Sequence, residues 1–358
     1  MPASPGPRIA RLLSLLSRRR IDLFLCSRMT NIRYLCGFTG SDGVLLVSPD
    51  GATLVTDGRY SEQSRREVRD ADVSISDRKW MEVARRVRRA RASRVGFESR
   101  HLSVDLFRLL SRGVEEKWVA LHDPVEGLRM LKEESEIRAI EAAAVTASGA
   151  LLAVLSGGWK GRRESEVAAD LEREMKAQGA EGASFRTIVA SGPRSAMPHA
   201  APTSARIRGA DPVVMDFGAC REGYCSDETV TLLPGRIPPD FRRAVDAVRK
   251  AQEAGIRAIR PGVPCREVDA RVRESLDRAG FLKYFGHSSG HGVGLDIHER
   301  PSLAPRSKDC IREGMVVTVE PGVYLPGVGG VRLEDMVQVT GTRGERITYL
   351  PKTISGPA

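Results

Sequence analysis

The chain has 358 residues and a mass of 39.1 kDa; 41% of its residues are hydrophobic and 28% charged. That balance excludes disorder, a collagen-like fibre and a filament, and the length suits two domains or one large α/β domain. The net charge of +10 comes mostly from residues 1–128, which hold 23 basic and 16 acidic side chains; such a surplus attracts nucleic acid or anionic lipid without specifying either.

The first twenty residues are rich in arginine and lack acids. They fit an organellar targeting peptide, but Leu12, Leu13, Leu15 and Leu16 run directly into the strand-like IDLFLC from Ile21, which favours a first structural helix. Short apolar or β-branched runs at 21–26, 43–47 and 52–56 read as strands, the latter two joined by a turn at Ser48–Gly51. A helix-like stretch at 60–69, a strand around Val73 and Ile75, a helix at 79–91, a strand from Arg94 and a helix at 101–112 follow. This alternation predicts an α/β domain of about 125 residues. The arginine-dense run Arg85–Arg94 reads as the wet face of a helix whose Val83 and Val87, four residues apart, point inward, so no nucleic-acid partner is expected. Residues 122–127 read as a connection.

The second part opens with a long amphipathic pattern from Leu128 to Gly158, then a helix at 164–178. Strand-like segments at 185–190, 212–217 and 228–233 precede helices at 238–259 and 264–279, and 316–320 and 335–340 are again β-patterned. Helices first and strands later make this half α+β. No run of about 18 apolar residues occurs, so no membrane partner is expected. Six scattered cysteines without a CxxC step give no disulfide scaffold. They read as reduced thiols, which places the protein in the cytoplasm.

Several chemistry-bearing residues sit at strand ends. Asp216 follows the apolar run Val213–Met215, and Asp227 lies eleven residues on; a returning strand would bring the two carboxylates together. The segment HSSGHGVGLDIHE places His287, His291 and His298 within twelve residues, interleaved with glycines that allow close backbone approach. Imidazole near neutral pH can ligate a metal or move a proton. Glu320 ends the apolar run Met315–Val319, a costly place for a charge unless it is paired or metal-bound. Strand alternation puts Arg332 and Glu334 on one face and Leu333 and Asp335 on the other, so Glu334 is the site carboxylate and Asp335 a loop or domain contact. Two Asp, one His and two Glu form an oxygen-rich donor set. It suits two divalent cations sharing carboxylates better than one structural zinc, and such a pair about 3.5–4 Å apart supports hydrolysis.

At these residues the chain resembles the Xaa-Pro peptidases, aminopeptidase P and prolidase, of the creatinase/methionine-aminopeptidase ("pita-bread") superfamily. NIRYLCGFTGSDG at 31–43 and TDGRY at 56–60 look like the N-terminal domain of aminopeptidase P-type proteins. Pro198-His199, MDFG at 215–218, SDET at 226–229, GHGVGLDIHE at 290–299, VEPGVY at 319–324 and GVRLED at 330–335 look like the catalytic motifs in family order. The resemblance implies an α+β pita-bread metallopeptidase domain at 129–358 behind a smaller creatinase-like α/β domain at 1–128.

It implies two divalent metal ions per chain, manganese first, with cobalt or zinc as alternatives. Asp216 would chelate one ion, Asp227 and Glu334 would bridge both, and His291 and Glu320 would complete the second. Glu320 would also accept and return a proton. His298 would hold the substrate carbonyl, and His199 would stand over the leaving proline nitrogen. His287 would line the proline side, and Arg332 would orient carboxylates. Phe185, Tyr224 and Tyr324 offer pocket walls. One departure stands out: the family run SD-x-TRT reads SDETVT, with Val230 in place of arginine.

The implied substrate is a peptide with proline in second position, whose tertiary amide lacks the N–H that ordinary peptidases grip. The N-terminal motifs lean toward an aminopeptidase that releases residue one. A dipeptidase confined to Xaa-Pro is the nearest alternative, and a non-catalytic binding or scaffold protein on the same fold is the rival class. The family is often dimeric, so a homodimer is expected.

Overall fold

A computed structural model describes residues 6–112 and 117–355. It divides into two compact units, Met1–Arg129 and Met130–Ala358.

In the first unit the leucine-rich start forms a helix, Pro7–Arg18, that buries Ile9, Leu12 and Leu16; residues 1–5 of the arginine-rich start lie outside the described residues. Six strands form one mixed sheet in the spatial order Asp72–Ile75, Gly51–Thr56, Val44–Ser48, Leu23–Cys26, Arg94–Glu98, Lys117–Leu121. The two hairpin pairs are antiparallel and the other three neighbouring pairs are parallel. The helix Lys79–Ala90 buries Val83 and Val87, while Arg85 and Arg86 pair with Glu82 on its outer side. The stretch read as a connection ends in a helical turn, Glu126–Arg129.

The second unit repeats one plan twice. Helices Glu134–Ser156 and Glu164–Ala177 pack on a sheet ordered Thr353–Ser355, Glu228–Leu233, Val213–Phe217, Ile188–Ser191. Leu151, Leu171, Met215, Phe217, Val230 and Leu232 share that core. Helices Pro239–Ala258 and Cys265–Arg278 pack on a sheet ordered Glu299–Leu303, Gly290–Gly292, Val316–Val319, Asp335–Val339, Gly344–Arg346, around Val248, Val272, Val317, Val319 and Val337. Each such side chain contributes about 1.5–3 kcal/mol on burial, so the two helix layers hold the sheets with their opposite faces free for the site. The mixed layers are the α+β architecture that the motifs implied.

Three boundaries differ from the sequence reading. The long helix starts at Glu134, not Leu128, because Glu133 and Glu136 form a reciprocal capping box that defines its first turn. By length and composition this helix could cross a membrane, yet it buries eleven residues, among them Ile140, Ala147 and Leu151. The strand expected at 185–190 is Ile188–Ser191. The glycine-rich segment at 290–292 is itself a strand. A Cβ at Gly290 would lie 2.0 Å from the Thr318 carbonyl oxygen and one at Gly292 2.3 Å from that of Arg300. Only glycine lets this strand slip between its neighbours, with His291 held between the two.

Candidate active site

Strand alternation builds the site. In Glu228–Leu233 and the residue before it, Asp227, Thr229 and Thr231 face one way, and Val230 and Leu232 face the helix core. Asp216 is the register partner of Thr229 on the adjacent antiparallel strand, so Asp216 and Asp227 arrive on the same face. Leu333 is buried in the core, while Arg332 and Glu334 turn to the opposite side. The result is a cleft of about 560 Å³ lined by Asp216, Asp227, His291, Glu320, Glu334, His199, His287, His298 and Arg332 together. All nine of these are singled out by the sequence. His199 and His298 stand at the exposed rim.

Of the expected pocket walls, Phe185 lines the cleft, joined by Ile188 and Ile297. Tyr324 lies behind it, against His287 and Arg332. Tyr224 is elsewhere, its hydroxyl donating to Glu136 at 2.8 Å. Asp335 opens the strand Asp335–Val339 rather than a loop. It is buried within its own unit, accepting from Thr348 Oγ1 at 2.7 Å, Arg346 Nε at 3.0 Å and Gln252 Nε2 at 3.1 Å.

The charged groups are held in detail. Arg332 donates to Asp216 Oδ2 at 2.5 Å, to Thr229 Oγ1 at 3.1 Å, to the Pro198 carbonyl at 2.9 Å and to the Tyr324 hydroxyl at 3.0 Å. Thr229 donates to Glu334 Oε2 at 2.7 Å. Sequence reasoning missed Thr229, although its position two residues after Asp227 on a strand was the available signal. His291 Nδ1 faces the Gly292 carbonyl at 3.1 Å. That contact requires the proton on Nδ1 and leaves Nε2 as a lone pair, 3.5 Å from Asp227 Oδ2 and 3.4 Å from Glu320 Oε1. The His298 ring sits 4.4 Å from that of His291.

Burial, with the Glu334, Asp216 and Glu320 carboxylates close by, pushes Asp227 well above the carboxylate range. Burial with Glu320 and Asp216 does the same to Glu334. Glu320 is pushed up to about 7 by burial, against the pull of Arg332. Burial lowers His287 and His291 to about 4, so both imidazoles are neutral at pH 7. Four carboxylates around one arginine cannot all ionise without further positive charge.

A divalent cation fits that deficit. One donor atom each from Asp227, His291 and Glu334 lies within 4.8 Å of the others, and Asp216 Oδ1 is buried with no hydrogen-bond partner among the described residues. Carboxylate oxygens with one imidazole are the donors that manganese, cobalt and zinc accept.

Comparison with known proteins agrees with this chemistry. Residues 137–341 match metallopeptidase family M24, and residues 8–131 match the creatinase/prolidase N-terminal domain. The chain belongs to the Xaa-Pro peptidases of family M24. It is a metallopeptidase with the pita-bread fold. Among its relatives is a protein named Xaa-Pro dipeptidase from Pyrococcus furiosus, 35% identical, the match covering 95% of this chain and 97% of that one. A solved structure described as an Xaa-Pro dipeptidase from Bacillus anthracis is 39% identical with a TM-score of 0.94, covering 97% of this chain and 99% of its own. Another, described as an X-Pro aminopeptidase from Thermotoga maritima, is 34% identical with a TM-score of 0.89, covering 98% and 100%.

Proposed function

We propose that this M24 peptidase is an Xaa-Pro dipeptidase working with two divalent cations, manganese first. The convergence of all nine site residues on one cleft carries the reading. Asp216 would hold one cation, Asp227 and Glu334 would bridge the two, and His291 and Glu320 would complete the other. The bound pair supplies an acidified water and a polarised scissile carbonyl.

The chain's own groups do the rest. Glu320, a carboxylate on the cleft wall, takes a proton from the attacking water and returns it to the departing proline nitrogen. His298, at the rim beside His291, donates to the carbonyl oxygen as negative charge builds there. His199 stands over the leaving nitrogen. Both nitrogens of His287 are engaged, Nδ1 with the Ser288 carbonyl at 2.8 Å and Nε2 with the Tyr324 hydroxyl at 2.9 Å. It therefore presents a ring wall to the proline rather than a proton. Phe185, Ile188 and Ile297 add apolar surface for a residue that offers no N–H.

The sequence motifs lean to an aminopeptidase, but two observations put the dipeptidase first. The P. furiosus and B. anthracis relatives carry that description along nearly their whole length. Arg186 also lines the cleft with no hydrogen bond or ion pair among the described residues, which leaves it free for the carboxylate at the end of a dipeptide. The likeness to the T. maritima structure supports the aminopeptidase as second reading. Chelated protein reloaded with Mn²⁺ should hydrolyse an Xaa-Pro dipeptide faster than the Xaa-Pro-Yaa tripeptide. The reverse order would establish the aminopeptidase, and metal-loaded protein that cleaves neither would favour the scaffold.

A further inference from the structure

The two carboxylates placed between the cations are each followed by a second acid, Asp227 by Glu228 and Glu334 by Asp335. Alternation sends the second member of each pair behind the sheets, away from the cleft. There both are buried and both meet one cation, Lys352. Its ammonium contacts Glu228 Oε1 and lies 2.9 Å from Asp335 Oδ1. Ser148 donates to the other Glu228 oxygen at 2.8 Å, and Thr348, Arg346 and Gln252 complete Asp335.

Lys352 reaches this point through the terminal strand Thr353–Ser355, which pairs in parallel with Glu228–Leu233 and registers Thr231 with Thr353. One step back, Lys352 lies beside Val230, and its carbonyl accepts from Thr231 N at 2.9 Å. Val230 stands where the family pattern has arginine. The cation missing from that position is thus supplied to the same face of the sheet by the neighbouring strand.

We infer that Lys352 is a positioning residue for the metal pair: by clamping Glu228 to Asp335 it fixes the separation of Asp227 and Glu334 on the cleft side. The inference rests on the two-cation reading. On the cleft side the two segments are tied by Thr229 Oγ1 to Glu334 Oε2 at 2.7 Å and by Glu334 N to the Thr229 carbonyl at 3.1 Å; the shared buried ammonium adds a charged tie between them on the back face. Bridging carboxylates tolerate little error in their separation, whereas Asp216 is held by Arg332 on the cleft side rather than by Lys352.

Mn²⁺ alone is titrated by calorimetry into metal-free full-length protein, with low-temperature electron paramagnetic resonance at two equivalents. The native chain should bind two ions and show a spin-coupled pair; binding of one or none would sink the two-cation reading itself. Lys352→Met should weaken the second ion about 10–100-fold and replace the coupled spectrum with that of isolated Mn²⁺. Lys352→Arg should restore most of the affinity and the coupling. Should Lys352→Met fail to fold, Glu228→Gln, which leaves Lys352 on Asp335, carries the same expectation at the smaller end of that range. A folded Lys352→Met or Glu228→Gln protein that melts earlier yet binds both ions with native affinity and native coupling would overturn the inference, leaving Lys352 a purely structural contact.

Discussion

Two sets of buried acids, one in each unit, are treated in opposite ways. In the N-terminal unit Glu98 is 2% exposed and accepts from Ser27 N at 2.6 Å, Arg28 N at 2.8 Å and Asn31 Nδ2 at 2.6 Å, with the Cys26 thiol at 3.4 Å. Its neighbour Glu126 accepts from Asn31 and from Arg28, each at 2.9 Å. Glu98 is surrounded by donors; Glu126 leaves Oε2 buried without a hydrogen-bond partner among the described residues, and the Arg28 guanidinium on its other oxygen supplies the counter-charge. In the cleft, Asp227 accepts no hydrogen bond among the described residues, Glu334 has one donor in Thr229, and Glu320 has one long contact from Thr318 at 3.4 Å. A buried acid supplied with donors is a structural brace, whereas several acids left short of donors and facing each other form a cation site. The presence of donors, not burial, separates the two.

The contrast can be broken by substitution. Asp227→Ala or Glu334→Ala should abolish Xaa-Pro hydrolysis and lower Mn²⁺ content by elemental analysis, because each removes an oxygen that the two-cation proposal places between the ions. Retained metal and activity would erase the distinction. Acid should weaken metal binding in the native chain. Protons compete for the oxygens of Asp227, Glu334 and Glu320, and the last is pushed up to about 7. Apparent Mn²⁺ affinity should therefore rise with pH by about tenfold per unit for each proton displaced, at least up to about pH 7, where Glu320 gives up its proton. His291, lowered to about 4, is already neutral across that range and adds nothing to the slope. An affinity that is flat between about pH 5 and 7 would show the cleft acids to be ionised without metal.

Smaller effects sharpen the comparison. Arg186→Ala should raise KM for an Xaa-Pro dipeptide about tenfold, the value of one charge-assisted hydrogen bond, and leave the tripeptide unchanged. An equal rise for both substrates would remove Arg186 from carboxylate recognition. Glu98→Ala should have the least effect on the chemistry. It should lower stability by about 1–3 kcal/mol through stranded donors, read by denaturant unfolding, with metal content and kcat at native values. Metal loss in that variant would mean the two acid clusters are not separate devices.

Much of the cleft was legible because its residues sit at the ends of apolar runs. Asp216 after Val213–Met215 and Glu320 after Met315–Val319 announce strand tips, and the alternation Arg332–Glu334 predicts the face that reaches the cleft. What could not be read locally was long-range pairing. Arg332 and Asp216 lie 116 residues apart in the chain, and nothing near either one announces the contact. Asp335 resembled a loop acid because nothing beside it announces its partners, Arg346 and Thr348 after a turn of the chain and Gln252, 83 residues before it. The strand through Gly290 and Gly292 was hidden because glycine has no strand preference, and its reason is the backbone packed on both sides. The aminopeptidase lean rested on motifs of the N-terminal unit, while Arg186, which bears on the choice, carried no motif at all.

The central claim is that Asp216, Asp227, His291, Glu320 and Glu334 hold a pair of cations. Anomalous diffraction from crystals grown with Mn²⁺ tests it most directly. The account predicts two peaks in the cleft about 3.5–4 Å apart, with Asp227 and Glu334 touching both, Asp216 touching one, and His291 and Glu320 touching the other. A single peak, or peaks away from Asp227 and Glu334, would contradict it.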